Sequence, residues 1–260
     1  MRISLIGAGR VATHLALVLK NHHPLVNIYS RHLEKAELLA QLVDAQACAE
    51  ITQMHSEIDL LIIAVSDQAI ASVIEEVAAH FSQVLIVHTS GSTHLNVLTA
   101  HHQRAGVFYP LQTFSLERSV DWLNTPLLIE ATNPADGHLL MQLAQQLSQR
   151  VYLYSSAQRL SLHLAAVFAC NFSNYCYDMA KQLVDVQDVD FSLLYPLMLE
   201  TAQKATQFAP QQMQTGPAMR GDQNILNMHQ AMLDSAHRDD LKQVYQLMSE
   251  QILARQQALS

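Results

Sequence analysis

The chain has 260 residues, half of them hydrophobic and 15% charged, which fits a compact globular protein of one large or two modest domains and excludes a disordered one. Fifteen Lys and Arg against 23 Asp and Glu leave a formal charge of −8, with no basic stripe, so broad nucleic-acid binding is excluded because phosphate neutralisation needs clustered cations. Cys48, Cys170 and Cys176 show no C-x-x-C spacing, and the histidine pairs His22-His23 and His101-His102 fall in polar connections expected to be exposed; neither a disulfide framework nor a metal site is expected.

Met1-Arg2 leads directly into the first strand and leaves no room for a signal peptide, so a cytoplasmic protein is expected. Residues 3–6 are apolar, Gly7-Ala8-Gly9-Arg10-Val11-Ala12 follows, and an amphipathic run continues through Leu15, Val18 and Leu19. This predicts strand, glycine turn and helix. In a dinucleotide-binding unit the first Gly permits the tight turn, the second lets backbone approach a pyrophosphate, and a small third residue packs helix on strand; the N-terminus of the helix then faces the phosphates. An ordinary tight turn would use similar residues, but the placement, after the first strand and opening the first helix, favours the nucleotide. Residues 25–29 supply a second strand ending at Ser30 and Arg31, where an acid would bind the ribose hydroxyls of NAD. An arginine there instead suits a 2′-phosphate, so NADP is favoured over NAD.

Residues 34–43 have helical spacing, and 58–65 form a nearly continuous apolar run of the kind found in a strand covered on both faces. Ser66-Asp67 is expected to cap a helix with Ile70, Val73, Ile74 and Val77 on its apolar face, Asp67 serving as a cap rather than as a catalytic acid. Further strands are predicted over 84–87, in a short segment stopped by Pro110, over 126–131 and over 151–154, with a helix over 135–149. The alternation specifies an α/β domain with a largely parallel sheet over residues 1–154. Ligands collect at the carboxyl ends of such strands, so Gly7, Ala8, Gly9, Arg10, Val11, Ser30, Arg31, Val65, Ser66, Thr89 and Ser90 are the cofactor-binding candidates.

Beyond residue 154 only helical periodicity remains, which makes 155–260 an all-helical domain. The uncharged stretch 160–177 holds polar residues and is read as a buried helix rather than a membrane span. Four patches offer chemistry. His163 and Asn174 lie eleven residues apart, about three turns, with Asn171 slightly offset, so one helix face presents a proton donor and two amides. Arg220, in the Gly-Pro loop before Asp222, is placed to meet an anion, or else pairs within its own loop. His88, ahead of Thr89-Ser90-Gly91-Ser92, and Gln112 with Thr113 are candidates for substrate contact. The 88–92 segment lacks the G-x-S-x-G pattern of a serine hydrolase.

Gly7 to Ala12, the His-Thr-Ser-Gly-Ser run at 88–92, residues 106–115, residues 162–172 and residues 215–222 together resemble an uncharacterised bacterial family of NADP oxidoreductase type, over nearly the whole chain. That family joins a Rossmann-like domain to a helical C-terminal domain of unknown function. More distantly the chain is similar to pyrroline-5-carboxylate reductase, ketopantoate reductase and deazaflavin-dependent NADP reductase, whose helical domains resemble that of 6-phosphogluconate dehydrogenase. The resemblance implies a homodimer formed through the C-terminal helices, NADP in the crevice, and substrate between the domains. Related hydroxyacid dehydrogenases place a catalytic lysine one turn before an asparagine; here that position is Val167, and the nearest lysine is Lys181. The leading expectation is hydride transfer between NADP(H) and a small C=O or C=N substrate, with His163 exchanging the proton, Asn171 and Asn174 orienting the reacting group and Arg220 holding an anionic substituent. The missing lysine leaves open a non-catalytic NADP-binding sensor or scaffold dimer.

Overall fold

The computed structural model describes residues 1–258 and divides into two compact units, Met1–Ala169 and Cys170–Ser260. In the first, strands β1 (Ile3–Ile6), β2 (Leu25–Tyr29), β3 (Gln46–Cys48), β4 (Leu60–Ile63), β5 (Leu85–His88), β6 (Ala105–Pro110), β7 (Leu127–Ala131) and β8 (Val151–Leu153) form one sheet in the order β3-β2-β1-β4-β5-β6-β7-β8. Every pairing is parallel except β6 with β7, where Pro110 lies opposite Leu127. β3 is too short to leave a periodic signature. Helices α1 (Arg10–Leu19), α2 (Leu33–Val43), α3 (Ile70–Val77), α4 (Asn96–Thr99) and α5 (Pro134–Gln145) connect the strands.

The strands are apolar on both faces because both are covered. One face buries Leu5, Ile62, Val87 and Phe108 together with Leu15 of α1, Leu39 of α2 and Leu143 of α5. The other buries Ile6, Leu61, Ile63 and Val107 with Ile70 and Ile74 of α3 and Leu98 of α4. Each such side chain contributes about 1.5–3 kcal/mol relative to exposure. Adjacent strands β1 and β4 continue to opposite sides of the sheet, β1 toward β2 and β4 toward β5, and the chain reversal between them opens a crevice at their carboxyl ends. His102, expected to be exposed, is buried, and its ring Nε2 lies 2.7 Å from the Val84 carbonyl oxygen.

Helix α6 (Ser156–Ala166), which sequence periodicity assigns to the helical half, groups with the first unit. Its first turn is tied down by charge. Arg159, 1% exposed, donates through Nη1 to Glu130 Oε2 on β7 at 2.5 Å and through Nη2 to the Thr93 carbonyl at 2.5 Å and to Ser156 Oγ at 3.1 Å. Glu130 also accepts from the backbone N–H and the hydroxyl of Ser156, at 2.9 and 2.7 Å. A reciprocal pair between Ser155 and Gln158 caps the same turn.

After α6 the chain winds one π segment, Val167–Phe172, before α7 (Ser173–Asp185), α8 (Tyr195–Gln207), α9 (Pro217–Arg220), α10 (Gln223–Ser235) and α11 (Asp239–Gln257). The expectation of a buried helix over 160–177 does not hold in the single chain: Leu164, Phe168, Phe172 and Tyr175 are exposed, Phe168 by 62%. Within the second unit α9, α10 and α11 pack together, and His229 of α10 meets Tyr245 of α11 at 2.9 Å. No helix among the described residues is long and apolar enough to cross a membrane.

The Arg159 anchor makes a stability prediction. Arg159→Met strands the Glu130 carboxylate, and urea unfolding should show a loss of about 3–5 kcal/mol. A loss under about 1 kcal/mol, typical of a solvated surface pair, would show that the anchor does not hold α6.

Candidate functional site

The crevice is built on Gly7, whose φ of +117° is readily adopted only by glycine. A Cβ at Gly7 would stand 2.3 Å from the Ala64 carbonyl oxygen at the end of β4, so a side chain is excluded. The Gly7 N–H donates to the Tyr29 carbonyl at 2.8 Å, tying the turn to β2. Gly9 is different. A Cβ there would meet nothing within 4 Å, and as N-cap of α1 it leaves the first N–H groups of the helix without a side-chain cap. Open space before an uncapped, positively polarised helix end suits an approaching phosphate.

In front of this turn lies a cleft of about 890 Å³, lined by Gly7, Ala8, Gly9, Arg10 and Val11, by Ser30 and Arg31, and by Val65 and Ser66. These cofactor candidates come together as expected. Thr89 and Ser90 do not join that lining; both are buried, and the Ser90 hydroxyl accepts from the Ser92 and Thr93 N–H groups, at 3.1 and 2.9 Å, to shape its own loop. His32 and Lys35 also line the cleft, adding to Arg10 and Arg31, with Glu76 the carboxylate among them. Sequence reasoning stopped at Arg31. Lys35 lies in the first turn of α2, beyond the extended N-cap His32, and it reaches the rim through the fold and not through any spacing from Arg31. A −8 chain thus turns a locally cationic rim toward this cleft, chemistry that fits a phosphorylated ribose.

A second polar cluster forms beyond β5 and β6. His88 at the end of β5 is fully buried and accepts the Ser90 N–H at Nδ1, 3.1 Å, which places the ring proton on Nε2; that nitrogen has no partner among the described residues. Burial foremost, and then the Arg159 charge, push its pKa down to about 3, with Asp67 opposing. His88 is therefore a neutral interior residue, fully buried at the end of β5. Asp67 does not cap its helix either. Ser66 holds the N-cap position without a side-chain bond, while the Asp67 carboxylate accepts the Ser92 hydroxyl.

Next to that loop, His163 on α6 meets Tyr109 on β6, with Nδ1 and the phenol oxygen 3.2 Å apart and the rings edge to face at 70°. The Tyr109 phenol is pushed up to about 12, by burial foremost and also by Asp67. Sequence reasoning singled out His163 and missed Tyr109, although Tyr109 lies inside the segment stopped by Pro110.

Gln112 and Thr113 are exposed and line a smaller cleft of about 390 Å³ together with Arg118 and Asp121. Gln112 Oε1 accepts the Thr113 N–H at 2.8 Å. Asn171, Asn174 and Arg220 are exposed residues of the second unit. The common face for His163 and Asn174 assumed an unbroken 3.6-residue repeat, and the π segment Val167–Phe172 interrupts it, so the spacing no longer implies that face. Asp222 caps α10 as expected, its side chain accepting from Ile225 N–H. Among the described residues no group of three or more His, Cys, Asp or Glu is arranged to hold a metal ion.

Comparison with known proteins agrees with this architecture. Residues 1–112 match the model of a Rossmann-like domain and residues 125–252 that of a domain of unknown function, DUF2520. A crystal structure from Bacteroides fragilis, provisionally described as an NADP oxidoreductase, is 40% identical and superposes with a TM-score of 0.91, covering 97% of this chain and 98% of that one. A pyrroline-5-carboxylate reductase from Coxiella burnetii shares the fold at 16% identity, with a TM-score of 0.60 over 99% of this chain and 98% of that one. L-aspartate dehydrogenase from Methanothermobacter thermautotrophicus is 28% identical over 90 residues, a match spanning 34% of this chain and 35% of that enzyme. Two successive domain matches and a 40% identical structure aligned over almost its full length make this chain a member of the family that joins a Rossmann-like domain to a DUF2520 C-terminal domain.

Proposed function

We propose that the protein is an NADP(H)-dependent oxidoreductase acting on a small C=O or C=N substrate. The observation that carries this reading is the cleft in front of Gly7, with an open helix N-terminus at one side and Arg31, His32 and Lys35 at its rim. The N–H groups at the start of α1 bind the pyrophosphate, and Ser30, Arg31 and Lys35 bind the 2′-phosphate that distinguishes NADP from NAD. When bound, the reduced dinucleotide supplies a hydride to the electrophilic carbon. His163 gives the accompanying proton to the substrate oxygen or nitrogen, or removes it in the reverse direction. The provisional description of the B. fragilis protein, and the names of a reductase and a dehydrogenase among the relatives, agree with this chemistry.

The second unit completes the reading as an association surface. Its only buried apolar residues among those described are Ala218, Leu226, Leu233 and Leu241, whereas Leu193, Leu197, Leu199, Met228, Met232, Leu247 and Met248 are all exposed. So much uncovered apolar surface suits a second copy of the chain, giving a homodimer through the C-terminal helices. Light scattering should therefore return twice the chain mass of 29.0 kDa, and a mass of 29.0 kDa at micromolar concentration would exclude the dimer.

The activity is tested by following NADPH oxidation against a panel of keto acids, imines and aldehydes, with wild type and His163→Ala in parallel. One class should be turned over by wild type, with His163→Ala slower by about 10²–10⁴-fold. Equal rates would remove His163 from the mechanism, and no oxidation across the panel would contradict the assignment.

A further inference from the structure

A histidine that passes a proton through one ring nitrogen needs its other nitrogen held, because a free ring can present either nitrogen in either tautomer. We infer that Tyr109 is a positioning residue for His163, holding the imidazole at Nδ1 so that Nε2 is the nitrogen that exchanges the proton. The chemical meaning of this assignment rests on the hydride-transfer reading above, whereas the contact on which it stands does not.

Three features converge on the pair. The Tyr109 phenol oxygen lies 3.2 Å from Nδ1, and Nε2 has no hydrogen-bond partner among the described residues. Both side chains leave rigid backbone: Tyr109 pairs with Leu128 across the sheet, and His163 lies one turn after Arg159, the buried anchor of α6. Gly91 closes the remaining side. A Cβ there would stand 2.5 Å from His163 Nδ1 and 2.7 Å from Tyr109 Cζ, so the two rings fill the space that a side chain at 91 would need.

A phenol suits the task better than an ionised group. Burial keeps Tyr109 protonated to about pH 12, so through the neutral range it is a hydroxyl, able both to donate and to accept. Its oxygen accepts the Nδ1–H of the imidazolium and, once Nε2 has given up its proton, the Nδ1–H of the neutral ring. In the reducing direction the hydride added to the substrate carbon would come from the C–H bond of bound NADPH, which would leave as NADP⁺, while the imidazolium Nε2–H bond breaks and an O–H or N–H bond forms on the product. The neutral ring then recovers a proton from water. Nδ1 keeps its phenol partner at every stage, so the ring does not turn between proton loss and recovery.

The test uses the full-length chain labelled with ¹⁵N-histidine and long-range ¹H–¹⁵N spectra of the ring at about pH 9, where an ordinary imidazole is neutral. In wild type His163 should show one tautomer, with the proton on Nδ1, hydrogen-bonded to the phenol oxygen, and Nε2 unprotonated. Tyr109→Phe should move both nitrogen shifts toward the averaged values of a free imidazole, and Gly91→Ala should do the same by steric displacement. Either variant decides the matter, provided its far-UV circular dichroism matches wild type. With a substrate found by the oxidation screen, Tyr109→Phe should lower kcat by about 10–100-fold with little change in KM, as expected for a misplaced reacting group. Unchanged ring shifts in the variants overturn the proposal whether or not the protein turns over substrate. Displaced shifts in a protein that oxidises no NADPH uphold the hold on Nδ1 and overturn the redox reading instead.

Discussion

The close approach of Gly7 to the carbonyl of Ala64 is the constraint from which the site follows. A methyl group at that position would stand 2.3 Å from the carbonyl oxygen, well inside any van der Waals contact, and the backbone there has a φ that costs an L-residue about 1–2 kcal/mol. Because the chain can turn that tightly, α1 begins just past the end of β1, with its uncapped N-terminus open in front of Gly9. The sheet order makes this useful. β1 and β4 are neighbours whose continuations diverge, so the helix end opens into a crevice instead of into packed protein. The basic rim at Arg31, His32 and Lys35 then gives that crevice a sign.

A second constraint fixes the other cluster. The buried Arg159–Glu130 pair, reinforced by Ser156 and the Thr93 carbonyl, joins the start of α6 to β7 and to the loop after β5. Desolvating two charges is expensive, and such a pair is a poor source of net stability compared with apolar packing. Its worth here lies in position, since each partner satisfies several groups that would otherwise be buried unpaired. One turn later the same helix delivers His163 against Tyr109 and Gly91. The neutral His88 beside Arg159 follows from the same burial.

What was legible in the amino-acid sequence was local. The turn at Gly7 to Ala12, the doubly covered strands and the end of strand content near residue 154 could all be read because spacing along the chain encodes them. Arg31 is legible since its strand ends at a predictable point, while Lys35 joins the same rim only through the path of the chain into α2. Tyr109 and His163 are 54 residues apart, and no periodicity links a strand end to a helix that far away. His88 and His102 misled because a histidine near a strand end or loop reads as polar and exposed, whereas packing buries both. The stretch 160–177 misled in the opposite direction. Its apolar composition predicted burial, but the single chain leaves Leu164, Phe168 and Tyr175 exposed, because composition records how apolar an element is and not what packs against it.

Titration calorimetry of NADPH and NADH against wild type and an Arg31→Ala/Lys35→Ala double variant measures most directly which nucleotide the cleft prefers. Charge-assisted contacts to a 2′-phosphate contribute about 1.5–3 kcal/mol, so wild type should bind NADPH at least about 10-fold more tightly than NADH. The double variant should lose that preference while its NADH affinity stays close to that of wild type. Equal affinities for the two nucleotides in wild type, or a preference that survives in the variant, would contradict the assignment of the basic rim.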